Sequence, residues 1–318
     1  MAVKDIHFFR ESSTQNNADL IFKAITIAAA GTILFLMAAM VIELIINSRN
    51  SLNTFGIGFL FSGDWDPVHG KFGAAASIFG TLLSTVIAMA IAMPLSLVIA
   101  LFLVEMAPPF ISSIFGTAIE LLAAVPSIIY GMWGLFIFAP VMSSYFQPFL
   151  SKIGGSLPLF QGPPMGIGVL TAGIILAIMI LPFISSVVRD VFKMVPPVLK
   201  ESAHGMGSTL WEATYKVTMR YGVRGIIGAA FLGLGRAIGE TMAVTFVIGN
   251  KHSISASLFS PATSIASTLA NEFAEASEAL YLSALIELGL VLFFITFLIQ
   301  VAAQLWVKRF RKAMGGDL

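Results

Sequence analysis

Six stretches of this sequence, at 20–46, 77–104, 114–140, 166–188, 225–249 and 280–307, are long, apolar and carry at most two charged residues each. A bilayer core is crossed by roughly 20 apolar residues in a helix. Lipid gives backbone N–H and C=O groups no partners, so helices are the expected spanning form. The runs are too long and too uniformly apolar for barrel strands. Charged residues make up 11% of the chain and hydrophobic ones 57%, whereas a soluble domain carries about 25% charged residues. Too few polar side chains remain to cover a water-soluble core. The fold class that follows is all-α, a polytopic membrane protein with six transmembrane helices. The first run is too long for a signal core, and no small-x-small cleavage pattern follows it, so it reads as a retained span.

Most of the 18 Lys and Arg fall in three places. The N-terminal tail holds Lys4, Arg10 and Lys23. The segment 189–223 holds Arg189, Lys193, Lys200, Lys216, Arg220 and Arg224 close by. The C-terminal end holds Lys308, Arg309, Arg311 and Lys312, with Trp306 as an interfacial anchor. Basic loops stay on the cytoplasmic side, so both termini are expected inside, which requires an even number of spans. The chain has no cysteine, which excludes disulfides, iron–sulfur clusters, thiolate zinc sites and cysteine catalysis. Its four histidines, His7, His69, His204 and His252, lie outside the apolar runs. No metal or cofactor is expected.

Three connections have their own patterns. The outer loop 47–76 contains the turn-forming cluster Gly63, Asp64, Trp65, Asp66 and Pro67. Beyond the fifth run, Ile265, Leu269, Phe273 and Leu280 alternate with Asn271, Glu272, Glu275 and Glu278, a spacing that predicts an amphipathic helix on the outer surface. In 189–223, Pro196 and Pro197 end the fourth run. Leu199, Ala203 and Met206 then recur at helical spacing, Gly207 closes that helix, and Thr209 with Glu212 forms a capping box that starts another. The prediction is a helix–turn–helix elbow on the inner face.

The elbow segment from Glu201 through Ala203 to Gly207, with Val217 and Met219 beyond it, resembles the EAA motif of bacterial ABC importer permeases, with Ser202 in place of an Ala and Arg220 where Pro is usual. The motif implies a coupling helix, with Glu201, Ala203 and Gly207 docking on an ATPase subunit. The segments 120–134, with Glu120, Pro126, Tyr130, Gly131 and Trp133, 233–244, with Arg236, Gly239 and Glu240, and 271–276 are similar to the PstC phosphate permease family. That resemblance runs from about Phe55 to Ala302. It implies a type I ABC importer permease fold, in which a first span (20–76 with its outer loop) precedes a five-helix core (77–307) carrying the coupling segment 189–223. Cytoplasmic tails at 1–19 and 308–318 flank it. It further implies a second permease (PstA-like), two ATPase subunits (PstB-like), a periplasmic phosphate-binding protein (PstS-like) and residence in the bacterial inner membrane.

Arg236 is the residue with the most chemistry to explain. A charge at span centre costs roughly 2.5–3.5 kcal/mol on insertion scales. Glu240, four residues on, falls on the same helical face and is expected to neutralise it. A guanidinium fork meets a phosphate with two parallel hydrogen bonds, which Lys cannot do. The family resemblance puts both residues in the translocation path. A helix-packing ion pair that never touches substrate is the alternative. Glu120 and Glu287 can each line the path, pair with Arg236, or be protonated and structural. Gly228, Gly233, Gly235 and Gly239 do not form a dinucleotide fingerprint and are read as close helix packing. Pro126 and Pro182 are expected to kink their spans. No Gly-x-x-x-x-Gly-Lys-Ser/Thr loop occurs, so ATP hydrolysis is expected in a partner. The expected function is phosphate import by alternating access. Another oxyanion (sulfate, molybdate), an ion-gradient carrier and a membrane sensor stand as the rival readings.

Overall fold

The structure, a computed structural model, describes residues 13–155 and 157–313. Lys4, Arg10 and the tail beyond 313 lie outside the described residues, as do the side chains of Trp306, Lys308, Arg309, Arg311 and Lys312. In chain order the longer helices are α1 (Ser13–Asn47), α2 (Arg49–Phe55), α3 (Ala75–Leu101), α4 (Pro109–Ala123), α5 (Ser127–Gly154), α6 (Val169–Lys193), α7 (Pro197–Gly205), α8 (Arg220–Ile238), α9 (Met242–Val247), α10 (Ile265–Glu272) and α11 (Ala279–Ala313), with single helical turns at Gly58–Phe61 and Leu210–Ala213. Among the described residues there is no strand, only isolated bridges joining Asp66 to Lys71 and Gly249 to Ala262.

Five helices are long and apolar enough to cross a membrane: α1, α3 with its extension to Met106, α5, α6 and α11. The expected count of six is therefore approximate. The run at 225–249 is shared between α8 and α9, and the run at 114–140 between α4 and α5. Pro126 does not kink a continuous span. It takes an extended conformation (ψ 136°) and caps α5, because a proline supplies no N–H and disfavours helix in the residue before it. Pro182, in contrast, sits inside an unbroken α6. Wide, π-type turns interrupt α5 at Gly134–Phe138 and Met142–Phe146, each accommodating an extra residue in the helical ladder.

The core is organised around α6, whose Ile175, Leu176, Met179, Ile180 and Ile184 are fully buried. Against it α3 turns Ser84, Ala88, Ala92, Ser96 and Ala100, one small residue every four positions, all buried, and the same stripe begins at Gly80, which packs on Thr263. Small side chains at this spacing let two helix backbones approach closely, the favoured packing mode where lipid removes the hydrophobic driving force. Ser96 adds a hydroxyl donated to the carbonyl of Leu181 at 3.0 Å. A second cluster, with Phe59, Phe72, Ile265 and Leu288 buried, fastens the outer loop and α10 to α11. Helix α1 meets the rest of the chain through α11, where Ser283 donates its hydroxyl to the carbonyl of Asn47 at 2.8 Å, and exposes Leu20, Phe22, Ile33, Phe35 and Leu36.

Candidate functional site

Arg236 lies in the last turn of α8, half-buried, with its Cζ 5.4 Å from the centroid of the Phe183 ring on α6. A guanidinium at this distance from an aromatic face is attracted by the ring quadrupole. Tyr130 of α5 lies within its electrostatic reach. The Nε of Arg236 is buried without a hydrogen-bond partner, and among the described residues Arg236 makes no ion pair.

The expected pairing with Glu240 on one helix face does not form. Helix α8 ends at Ile238, Gly239 leaves helical geometry (ψ 3°), and Glu240 lies beyond the end. The Glu240 carboxylate instead accepts the backbone N–H of Ala243 at 3.1 Å, satisfying one of the donors that every helix start leaves open. Four-residue spacing makes neighbours only where the helix is continuous. The second piece, α9, is pressed onto α5: a Cβ on Gly131 would meet the Cα of Ala243 at 3.0 Å, and one on Gly134 would meet Val247 at 2.9 Å. Gly233 and Gly235 pack closely as expected, against Ile184 and Gln300, whereas Gly228 faces open space and Gly239 has nothing nearer than 3.6 Å.

Glu120 makes no ion pair with Arg236; its partner is Arg189, near the C-terminal end of α6. Arg189 Nη2 donates to Glu120 Oε1, and the guanidinium lies directly against the backbone of Gly116, one turn before Glu120 on α4. The Arg189 side chain is only 5% exposed, while that of Glu120 is 55% exposed. Glu287 is buried in α11 with its Oε2 unpartnered.

The elbow takes the predicted form. After α7, Gly207 adopts φ +87°, a left-handed conformation that glycine reaches without a Cβ clash. Thr209 Oγ1 then accepts the N–H of Glu212 at 3.3 Å and Glu212 Oε2 accepts the N–H of Thr209 at 3.0 Å, a reciprocal cap. Glu201 is exposed and Ala203 buried, while Val198, Met206, Trp211 and Tyr215 turn apolar surface outward. One residue escaped the sequence reading. Glu105, just past the C-terminal end of α3, accepts from Lys200 Nζ at 2.6 Å. Its only signal was a lone acid in a connection otherwise without charge.

On the other side, α10 is not a surface helix: Ile265, Ala266, Ser267 and Thr268 are buried, and Ser264 caps it. Glu272, expected on the solvent face, accepts Trp65 Nε1 at 2.6 Å and Tyr281 Oη at 2.7 Å, and His252 Nε2 lies 3.0 Å from its other oxygen. Trp65 stacks on His252 with ring centroids 5.1 Å apart. Burial works to raise the Glu272 carboxyl, but the hydrogen bonds from His252, Tyr281 and Trp65 outweigh it and hold the group below the ordinary carboxylate range.

No family model matches the chain. It is 52% identical over 301 residues to the phosphate transport system permease protein PstC of Pasteurella multocida, covering 93% of this chain and 94% of that protein. It is 51% identical over 302 residues to the protein of that name from Xylella fastidiosa, covering 94% and 93%. To the probable phosphate transport system permease protein PstC of Methanocaldococcus jannaschii it is 35% identical over 297 residues, covering 92% and 94%. Among solved structures, a chain of a bacterial alginate ABC transporter in complex with an alginate pentasaccharide-bound periplasmic protein superposes with a TM-score of 0.64 at 16% identity, covering 95% of this chain and 98% of that one. A chain of the inward-facing MetNI methionine ABC transporter gives 0.50 at 18% identity, covering 74% and 94%. These likenesses bear on the fold, which is that of ABC importer permeases.

Proposed function

The chain belongs to the PstC family of phosphate transport system permease proteins, and from that membership we propose that it is the permease subunit of an ATP-driven importer that moves inorganic phosphate across the cytoplasmic membrane by alternating access. A PstA-like second permease, two PstB-like ATPases and a PstS-like periplasmic binding protein complete the machine. The termini face the cytoplasm, in keeping with the basic segments around the elbow. Residues 77–307 form the working core, and the exposed apolar surface about Val198 and Met206 on the elbow is where the ATPase docks, through Glu201, Ala203 and the turn at Gly207.

The observation that carries the cargo assignment is Arg236. It is a cation at a helix break among the spans, held over Phe183, with a buried Nε that nothing satisfies and no ion pair among the described residues. A phosphate with one to two charges supplies acceptors for such a fork. Glu240, two residues past the end of α8, contributes the nearby negative charge that keeps residence short, since an ion that binds must also leave. Glu120 bounds the inner end of the path through Arg189 and does not meet the anion, which it would repel.

The test is radiolabelled phosphate uptake into proteoliposomes holding the complete complex. Uptake should require ATP, the ATPase and the second permease, and excess sulfate or molybdate should leave it unchanged. Arg236→Gln should lower it roughly 10- to 100-fold, the worth of charge-assisted hydrogen bonds of about 1.5–3 kcal/mol, with Arg236→Lys between. Full uptake in Arg236→Gln, or uptake by this chain alone down an ion gradient, would overturn the proposal.

A further inference from the structure

The inner end of α3 carries a carboxylate that ties three segments together. Glu105 lies in the wide turn Phe102–Met106. Its Oε1 accepts Lys200 Nζ at 2.6 Å and Thr218 Oγ1 at 2.9 Å. Lys200 belongs to α7, next to Glu201, on the first arm of the elbow. Thr218 lies on the second arm, in the turns Thr214–Met219 that lead into α8. Both arms are therefore fastened to α3 through one oxygen atom. The site is secluded: the Glu105 side chain is 9% exposed, that of Lys200 22%, and Thr218 is fully buried.

Apolar packing does not make this attachment on its own. Between the end of α3 and the second arm lies a cavity of about 490 Å³, lined by Leu97, Leu101, Phe102, Leu210, Trp211 and Tyr215, with Glu105 at its edge. Side chains on opposite walls of an apolar groove stand apart from one another, so they make few of the close contacts that pass a displacement along. A short, partly buried ion pair reinforced by a hydroxyl is directional and stronger than the same pair in water. Across the cavity, the stiff element joining elbow to span is the Glu105 carboxylate.

We propose that Glu105 is a positioning residue for transport: through Lys200 and Thr218 it hands the displacement of the elbow to α3. The stripe of small residues on α3 then lets that helix slide against α6 as a shear movement. This rests on the reading of the elbow as the ATPase-docking segment, and it adds a route from the elbow to a helix distant from it in sequence, beside the direct chain connections to α6 and α8.

The experiment uses the complete transporter, purified through a tag on the ATPase subunit so that every particle contains it, and reconstituted in proteoliposomes. The readout is phosphate moved per ATP hydrolysed, alongside the basal hydrolysis rate. Glu105→Gln keeps an acceptor for Thr218 and removes the charge; Lys200→Met removes the other partner. Each should leave basal hydrolysis unchanged and lower the transport ratio roughly 5- to 20-fold, the scale of a typical coupling energy. The exchanged pair Glu105→Lys with Lys200→Glu should recover at least about half of the loss, because coupled residues are non-additive. If Glu105→Gln fails to assemble, Lys200→Met alone carries the reading. Wild-type ratios in the single variants, or no recovery in the exchanged pair, overturn the latch. A wild-type complex that moves no phosphate counts instead against the proposed function.

Discussion

Two arginines on neighbouring helices, Arg189 buried and Arg236 half-buried, meet different surroundings. Arg189 rests on the bare backbone of Gly116 and gives its Nη2 to Glu120. Each leaves a buried Nε without a hydrogen-bond partner, but Arg236 has an aromatic ring beneath it and no ion pair among the described residues. A guanidinium that is withdrawn from water and matched is part of the architecture, since removing its partner strands a charge. One that is half-buried and makes no ion pair leaves its charge available, as the proposed function requires of Arg236. On the proposed reading, the same side-chain type serves as a fixed rivet at the C-terminal end of α6 and as an open hand at the end of α8.

Stability measurements can break that contrast directly. Glu120→Ala leaves buried Arg189 with only the longer contact to Asp190 at 3.6 Å, and should cost about 3 kcal/mol of folding stability, at the low end for a buried pair because Glu120 is half exposed and Asp190 remains. Arg236→Gln should shift unfolding in detergent by no more than about 0.5 kcal/mol, the scale of a neutral substitution. Equal losses in the two variants would make Arg236 another rivet. A smaller difference is expected at the glycines nearby. Gly116→Ala drives a methyl into the Arg189 guanidinium and should cost about 1–3 kcal/mol, while Gly239→Ala, with its nearest neighbour 3.6 Å away, should stay within about 0.5 kcal/mol. Gly116→Ala folding as stably as the wild type would show that Arg189 is loosely seated.

The subtlest effect belongs to Glu272, a matched charge of the opposite sign. Its carboxyl titrates lower in the folded protein than in the unfolded chain, so its contribution is complete above the ordinary value of 4.5 and is lost as pH falls through the lowered folded value. The chain has four tryptophans, and among the described residues it is Trp65 that donates to Glu272. With Trp133, Trp211 and Trp306 replaced by Phe, Trp65 emission should change only below about pH 4.5, and Glu272→Gln should abolish that transition. An unchanged transition in Glu272→Gln would locate its source elsewhere.

The spans that are single helices could be read from length and apolarity: the runs at 20–46, 77–104, 166–188 and 280–307 coincide with α1, α3, α6 and α11. The two that are broken could not. A hydropathy run counts side chains and is blind to a missing backbone donor at Pro126 or to a glycine leaving the helix at 239. That blindness carried into the site, because the Arg236–Glu240 pairing assumed a helix that stops between them. The Arg189–Glu120 and Lys200–Glu105 pairs escaped for another reason: partners 69 and 95 residues apart share no local pattern. The elbow was legible because its signals are local and its chemistry strict: two prolines, a left-handed glycine and a reciprocal cap within a short segment.

The distance in sequence between Glu105 and Lys200 also bears on how the chain is made. Glu105 leaves the ribosome 95 residues ahead of Lys200, and at about 5–20 residues per second the carboxylate waits roughly 5–20 s without its cation. A bare carboxylate at the end of a greasy segment is stable only beside water. During that interval the newborn α3 must therefore be held with its tail at the membrane surface, and the arrival of α7 is the moment at which the half-made bundle can be sealed.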